Sequence, residues 1–109
     1  MKTGNVSAEA GAAVMAALGS PARVRLVELL SGGERSVGSL AAEVGLDVST
    51  VSRHLATLRR AGLLKTRKEG STVRYSLSTP RVLDFFDCIE RVLSGGSCGS
   101  TTGRRDGRR

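Results

Sequence analysis

The sequence predicts a mainly α-helical fold with one small β-hairpin, arranged as a winged helix-turn-helix. Three observations predict this fold. Apolar residues recur at helical spacing through most of the chain, and Gly45 separates two short segments of this kind. After Leu63, the apolar residues instead alternate with polar ones at a period of about two, which is typical of strands. With 109 residues, of which 39% are hydrophobic, the chain is long enough for one domain with a modest core.

The first two helices carry recognisable composition and start signals. Residues 8–18 are mostly alanine, a composition that favours a first helix. Ser20 and Pro21 then supply an N-cap and a first-turn proline for a second helix, which continues to residue 30. We expect its apolar side chains to be buried and its charged side chains to face water: Arg23, Arg25 and Glu28.

A third and a fourth helix are predicted on either side of a tight turn. Residues 36–44 form the predicted third helix, and Gly45 follows where the turn needs a residue that tolerates a positive φ. Asp47 is the predicted N-cap of the fourth helix, which covers residues 48–61. Apolar side chains at helical spacing predict the core face of this fourth helix: Val48, Val51, Leu55 and Leu58.

The last third of the chain predicts a hairpin, a helix and a tail. A two-stranded wing is predicted to turn at Gly70, and a last helix to follow over residues 80–93. Residues 1–7 are expected to be flexible, residues 8–93 to form the folded domain, and residues 94–109, with Cys98, to be disordered. The last helix carries an apolar stripe wide enough for a core and a partner subunit together: Val82, Phe85, Phe86, Ile89, Val92 and Leu93.

The charge of the chain indicates a polyanionic partner. Seventeen Lys and Arg residues against 10 Asp and Glu leave a net charge of +7, which favours nucleic acid or an anionic membrane surface. No apolar run approaches the roughly 20 residues that a spanning helix needs, and the N-terminus does not resemble a signal peptide. We therefore expect a cytoplasmic protein without a membrane partner.

The low aromatic content of the chain, 3%, argues against a protein that stacks the bases of single-stranded nucleic acid on aromatic side chains. Double-stranded DNA is therefore the favoured partner.

The fourth helix and the wing together hold the side chains expected to contact DNA. The N-terminal half of the helix is expected to enter the major groove and to reach base edges through Ser49, Thr50, Ser52 and Arg53. His54, the only histidine, has no Cys, Asp or His one turn away, so packing or a phosphate contact is favoured over metal binding. Four wing residues are expected to follow phosphates: Lys65, Arg67, Lys68 and Arg74.

Three segments of the sequence resemble the arsenic-repressor (ArsR/SmtB) family of small bacterial regulators. They are LGSPARVRLVELL, LAAEVGLDVSTVSRHLATLRRAGLL and KEGSTVRYSL, and the resemblance covers about residues 12–93. It implies a homodimeric repressor in which the first and last helices, residues 8–18 and 80–93, pair the subunits. It also implies an inducer, often a metal or metalloid ion, that binds and releases the DNA. For such a dimer we expect a palindromic operator with half-sites about one helical turn apart.

The inducer sites implied by that resemblance are missing from this chain. Ser36 and Gly38 stand where arsenic-responsive members have a Cys-x-Cys pair, and the zinc-ligand positions of the last helix fall on Thr79, Arg81 and Val92. No N-terminal cysteine is present for a cadmium or lead site.

Cys88 and Cys98 are then the only soft ligands, and both are expected to be reduced at rest. Thiolates select soft ions, so the sequence predicts As(III) or Sb(III) as inducer, with Cd(II) or Hg(II) less favoured and no obligatory cofactor.

Other interpretations stay open at this point. Cys88 and Cys98 also suit a redox or reactive-sulfur switch, because the tail is long enough to bring them together. Alternatively, Cys88 is a small core residue and Cys98 is incidental. A winged helix that binds an acidic protein is a different class of function. An enzyme is not expected, because the sequence offers no nucleophile with a base, no phosphate loop and no catalytic metal cluster.

Overall fold

The computed structural model describes residues 7–95, which form five helices and three short strands. The expectations for residues 1–6 and for most of the tail, including Cys98, lie outside the described residues. The strands are β1 (Arg35–Ser36), β2 (Leu64–Glu69) and β3 (Thr72–Leu77). The helices are α1 (Ala8–Ala17), α2 (Pro21–Leu30), α3 (Val37–Val44), α4 (Val48–Arg60) and α5 (Val82–Leu93). The predicted fold class, mainly α with a wing, is confirmed.

The chain divides into two compact units between Thr79 and Pro80. The first unit contains α1 to α4 and the sheet, and the second contains α5. None of the helices in residues 7–95 is long and apolar enough to cross a membrane.

Side chains cap the first four helices at their N-termini. The side chains of Ser7, Ser20, Ser36 and Asp47 each accept a hydrogen bond from the backbone N–H three residues later, at 3.1, 3.4, 3.2 and 3.1 Å. These bonds satisfy amides that have no partner inside the helix, and they confirm the predicted caps at residues 20 and 47. The last helix begins at residue 82, two residues later than its predicted opening, and has no side-chain cap.

The sheet is antiparallel, with strand order β1-β3-β2. The wing runs from the pair Leu64 and Leu77 to its turn at Gly70, whose φ is 64°. The third strand, β1, was not predicted, because two residues are too few to show a period of two. It joins the wing to the start of α3, pairing Arg35 with Tyr75. The wing is therefore attached to the helices that precede it.

The core of the first unit lies between α2, α3, α4 and the base of the wing. Its largest fully buried side chains are Leu26, Val27, Leu40, Val51, Leu55 and Leu58. Three of the four predicted core positions on α4 are confirmed, but the prediction for Val48 is wrong, because its side chain is 51% exposed. Val48 is the first residue of α4, where the helix extends beyond the core. The predicted turn at Gly45 has a φ of 73°, and Gly62, with a φ of 86°, follows the other end of the helix.

Candidate DNA-binding surface

The helix-turn-helix consists of α3, the turn at Gly45, and α4. The buried side of α4 consists of Val51, Leu55 and Leu58, all 0% exposed, so this helix is held by the core. Its opposite side presents Ser49, Ser52 and Arg53 to solvent, with Thr50 half-buried. The structure thus places the four residues predicted to reach base edges together on the first two turns of α4.

Asp47 organises the hydroxyl groups at the start of α4. The Ser49 and Thr50 hydroxyls both donate to its carboxylate, and the Thr50 backbone N–H donates as well. These hydrogen bonds, that of Ser49 first, hold the pKa of Asp47 well below its usual range. With their protons directed to Asp47, the two hydroxyls keep lone pairs for an outside donor. In the major groove, such donors are the amino groups of adenine and cytosine.

His54 lies one turn after Thr50 and is half-buried. Its Nδ1 accepts a hydrogen bond from Nε of Arg23 at 3.1 Å. The expectation that Arg23 simply faces water is wrong, because its guanidinium is also 3.2 Å from the carbonyl oxygens of Ala16 and Ala17. The three partners lie on two other helices, and sequence reasoning had no signal for this contact.

The wing carries the four predicted cations, but two of them are paired with carboxylates. Arg67 makes a two-pronged contact with Glu34, at 3.0 Å from Nε and 2.6 Å from the terminal nitrogen. The Arg74 Nε lies 2.6 Å from Glu69. Lys65 and Lys68 are exposed and take part in no ion pair among the described residues. The wing is therefore less positive than the count of its basic residues indicates.

The ion pairs of the wing also appear in its titration behaviour. The hydrogen bond from Arg67 holds the pKa of Glu34 below its usual value, and Glu34 in turn raises the pKa of Arg67. Arg74 lowers the pKa of Glu69 in the same way. A phosphate that binds either arginine must displace a carboxylate, which reduces its net gain.

The predicted inducer site is only partly described. Cys88 is half-buried on α5 and is disulfide-bonded, whereas Cys98 lies outside the described residues. Within residues 7–95, no group of three or more His, Cys, Asp or Glu side chains is arranged to hold a metal ion. The disulfide bond of Cys88 differs from the expectation that this cysteine is reduced.

Comparisons with known proteins agree with this fold. The family model "Bacterial regulatory protein, arsR family" matches residues 20–66. The uncharacterized HTH-type transcriptional regulator Rv0081 of Mycobacterium tuberculosis is 40% identical over 78 residues, which are 71% of this chain and 68% of the relative.

Two solved structures are similar over most of their length. The homodimeric winged helix-turn-helix DNA-binding domain of Mb0332 from Mycobacterium bovis matches with a TM-score of 0.72 and 30% identity, covering 79% of this chain and 80% of that one. Reduced HlyU from Vibrio cholerae matches with a TM-score of 0.68 and 36% identity, covering 77% and 88%. The chain therefore belongs to the arsR family of bacterial regulatory proteins, which are DNA-binding transcriptional regulators and not enzymes.

Proposed function

We propose that this protein is a homodimeric repressor that binds a palindromic operator through α4 and the wing, and that thiol chemistry releases it. The observation that carries the DNA-binding part is the exposed first half of α4, where hydroxyl groups and Arg53 project from a helix with a fully buried opposite side. A rigid helix of this kind fits the major groove, where sequence is read.

The geometry supports distinct roles for the residues of α4. Ser49 and Thr50 accept hydrogen bonds from base amino groups, because their own protons are held by Asp47. Ser52 donates or accepts at a base edge or phosphate. Arg53, which has no ion pair within residues 7–95, reads guanine or holds a phosphate.

The wing and His54 supply contacts to the DNA backbone. Lys65 and Lys68 are the cations best able to bind phosphates, because Arg67 and Arg74 must first leave Glu34 and Glu69. These contacts add affinity and salt dependence, but they carry little sequence information.

Dimerisation is supported by the last helix. α5 has a strongly apolar side, yet none of its residues is buried, and Phe85, Ile89, Val92 and Leu93 are 40 to 82% exposed. An apolar surface of this kind is typical of a protein interface, and the similar Mb0332 domain is homodimeric. We propose that residues 8–18 and 80–93 pair the subunits. Two-fold symmetry then requires a palindrome with half-sites about one helical turn apart.

Binding to duplexes selected from random-sequence DNA tests the DNA-binding function. We expect the selected sequences to contain an inverted repeat, and affinity to fall steeply with salt as bound phosphates release counterions. Arg53→Ala should weaken binding to the selected duplex by at least about tenfold, because charged base or phosphate contacts are lost. Arg25→Ala, on the exposed side of α2 and outside the helix-turn-helix, the wing and the proposed subunit interface, is the matched control. Binding without an inverted repeat, or no binding, would contradict the proposal and favour a protein partner.

The ion pair between Glu34 and Arg67 offers a second test of the wing. Glu34→Gln removes the carboxylate that competes with phosphate for Arg67. We expect DNA affinity to rise a few-fold, with the salt slope steeper by up to about 0.9 for one additional phosphate contact. The control is Glu43→Gln, which removes a longer ion pair, at 3.8 Å, with Arg35. Equal effects of the two variants would show that Arg67 does not reach DNA.

For release, we propose that Cys88 and Cys98 act together. In the reduced protein the two thiolates suit As(III) or Sb(III), and less well Cd(II) or Hg(II). Oxidation is the second candidate, and the disulfide bond of Cys88 favours it specifically. In that reaction two thiols and one peroxide give one disulfide and two water molecules. The similar HlyU from Vibrio cholerae has been solved in a form described as reduced.

Separate additions to the protein–DNA complex distinguish the two chemistries. Arsenite is added to protein kept reduced, and peroxide or a persulfide donor to protein without added reductant, with release followed by fluorescence anisotropy. If only arsenite releases the protein from DNA, the cysteines form a metalloid site. If only the oxidant releases it, they form a redox switch. Cys88→Ser and Cys98→Ser should each abolish the effect. Release that persists in both variants would show that the cysteines are not the inducer site.

A further inference from the structure

Arg23 joins two helices to the recognition helix through a single guanidinium. The residue lies on α2 and is half-buried. Its terminal nitrogen donates to the carbonyl oxygens of Ala16 and Ala17, each at 3.2 Å, while its Nε donates to Nδ1 of His54 at 3.1 Å. All these residues belong to the first compact unit. One side chain therefore connects the C-terminal end of α1 with the middle of α4.

The contact with α1 determines where the guanidinium lies. Carbonyl groups in the last turn of a helix lack a full set of intrahelical partners, and that end of the helix carries partial negative charge. A guanidinium that donates to two such carbonyls is held in position by geometry and by charge. Arg23 therefore presents its Nε–H to α4 in a fixed direction.

The contact with His54 determines which ring nitrogen carries the proton. A guanidinium has five N–H donors and no acceptor, so Nδ1 of His54 must offer a lone pair. In the neutral ring, the single proton then resides on Nε2, which becomes a donor. No protein acceptor contacts Nε2 among the described residues. The ring therefore has one N–H group, at Nε2, that can donate a hydrogen bond to a group outside the described residues.

The position of His54 indicates what this donor meets. The residue lies one helical turn beyond Thr50 and directly after Arg53, within the half of α4 that is proposed to face DNA. The ring is half-buried against α2, so it lies at the side of the exposed face and not at its centre. Such flanking positions meet the sugar–phosphate backbone, whose oxygens accept hydrogen bonds.

We propose that Arg23 is a positioning residue for DNA binding, which holds His54 as its Nε2–H tautomer so that Nε2 donates to a phosphate of the operator. This inference rests on the proposed DNA-binding function and adds a residue outside the helix-turn-helix and the wing. Because the donor is neutral, the contact fixes the register of α4 on the backbone without releasing a counterion.

Nitrogen NMR of the imidazole tests the tautomer directly. His54 is the only histidine of the chain, so the ring signals need no assignment. We expect the free wild-type protein to show a protonated Nε2 and an unprotonated Nδ1. Arg23→Met should give a mixture of tautomers, whereas Arg25→Met, on the exposed side of the same helix, should not change the spectrum. A wild-type ring protonated at Nδ1 would overturn the proposal.

Substitution of His54 separates the DNA contact from the contact with Arg23. Asparagine places its amide near Nδ1 and keeps an acceptor for Arg23, whereas glutamine places an N–H donor near Nε2. We expect His54→Asn to weaken binding to the selected duplex by at least about tenfold, the usual effect of losing a hydrogen bond to a charged group. His54→Gln should recover most of that loss. Thermal unfolding of each variant shows whether the fold is retained.

The salt dependence of the same variants tests whether the donor is neutral. Loss of a neutral contact lowers affinity at every salt concentration and leaves the slope of log K against log salt unchanged. A slope reduced by about 0.9 or more in His54→Asn would indicate a charged imidazolium instead and would overturn the tautomer.

Arg23 is tested in the same assay. Arg23→Met should weaken binding to a similar extent as His54→Asn, and the double variant should be little worse than either single one. If Arg23→Met does not fold, Arg23→Lys takes its place, because one ammonium group cannot reach Nδ1 and both carbonyls together. Additive losses would show that Arg23 affects binding independently of His54, and wild-type affinity in His54→Asn would show that His54 makes no contact with DNA; either result would overturn the proposal. Failure of the wild-type protein to bind any duplex would instead contradict the proposed function itself.

Discussion

α4 and α5 are both amphipathic helices of similar length, yet the apolar side of α4 is buried and that of α5 is exposed. In α4 the apolar residues Val51, Leu55 and Leu58 are fully buried, and the polar side is presented to solvent. In α5 no residue is buried, and Val92 and Leu93 are 60% and 82% exposed. An apolar stripe at helical spacing therefore does not by itself tell whether that side of the helix is buried within its own chain. The stripe of α4 is covered by its own domain, whereas that of α5 is not buried by the described residues of the chain.

A pair of leucine substitutions should give the largest contrast between the two helices. Leu55→Ala leaves a cavity in the core and should lower the free energy of unfolding by about 2–5 kcal/mol. Leu93→Ala leaves the core of the first unit intact, so its cost should be smaller and, because the residue lies on the proposed subunit interface, should grow as the protein is diluted. Urea unfolding followed by circular dichroism measures both. Equal losses of unfolding free energy in the two variants would contradict the difference in burial between the two helices.

Charge placed on the open side of α5 should separate the subunits without unfolding them. We expect Ile89→Glu to halve the mass measured by sedimentation, because a buried interface does not tolerate an unpaired carboxylate. Affinity for the palindromic duplex should fall by about 100-fold or more, since the two half-sites are no longer bound by one molecule. Glu90→Gln, on the same helix, is the control. A dimeric Ile89→Glu variant would place the interface elsewhere.

Two valines within α4 should show the same contrast on a smaller scale. Val51→Ala removes two buried carbon groups and should cost about 2 kcal/mol of unfolding free energy. Val48→Ala should cost less than about 0.5 kcal/mol, because that side chain is 51% exposed. Urea midpoints at one pH compare the two. A large loss in Val48→Ala would mean that the start of α4 is covered in solution, for example by the partner subunit.

The N-cap of α4, which α5 lacks, should make a small pH-dependent contribution. The folded pKa of Asp47 is depressed below its ordinary value of 3.8, so its stabilising effect is present above that value and is lost as the pH falls below it. Asp47→Asn keeps a cap that does not titrate. Between pH 5 and pH 2, the urea midpoint of the wild type should therefore fall more than that of Asp47→Asn. Parallel decreases would assign the acid sensitivity to the other carboxylates, such as Glu34 and Glu69.

Much of the candidate site could be predicted because its signals are local. Ser20 and Asp47 cap helices through bonds to residues three positions ahead, and Gly45 and Gly62 adopt the positive φ that their turns require. The recognition face of α4 follows from a helical period that is read within one segment. The residue-level DNA contacts and the role of Cys88 remain predictions.

The pairing of charged side chains could not be predicted in the same way. Arg67 binds Glu34, which lies 33 positions away, and Arg23 binds His54, which lies 31 positions away. Nothing in either local sequence marks these partners, because long polar side chains choose among all groups that packing brings within reach.

The order of the five helices and the wing, the caps at Ser20 and Asp47, the turns at Gly45 and Gly70, the winged helix-turn-helix class and the excess of positive charge all follow from the sequence alone. Each of these depends on neighbours within a turn of helix or strand, or on a sum over the chain. Four features appear only in the folded chain: Val48 is exposed, β1 joins the wing to α3, Glu34 pairs with Arg67, and Arg23 hydrogen-bonds to His54. These features depend on where the core ends and on which distant groups it brings together, and a local pattern contains neither.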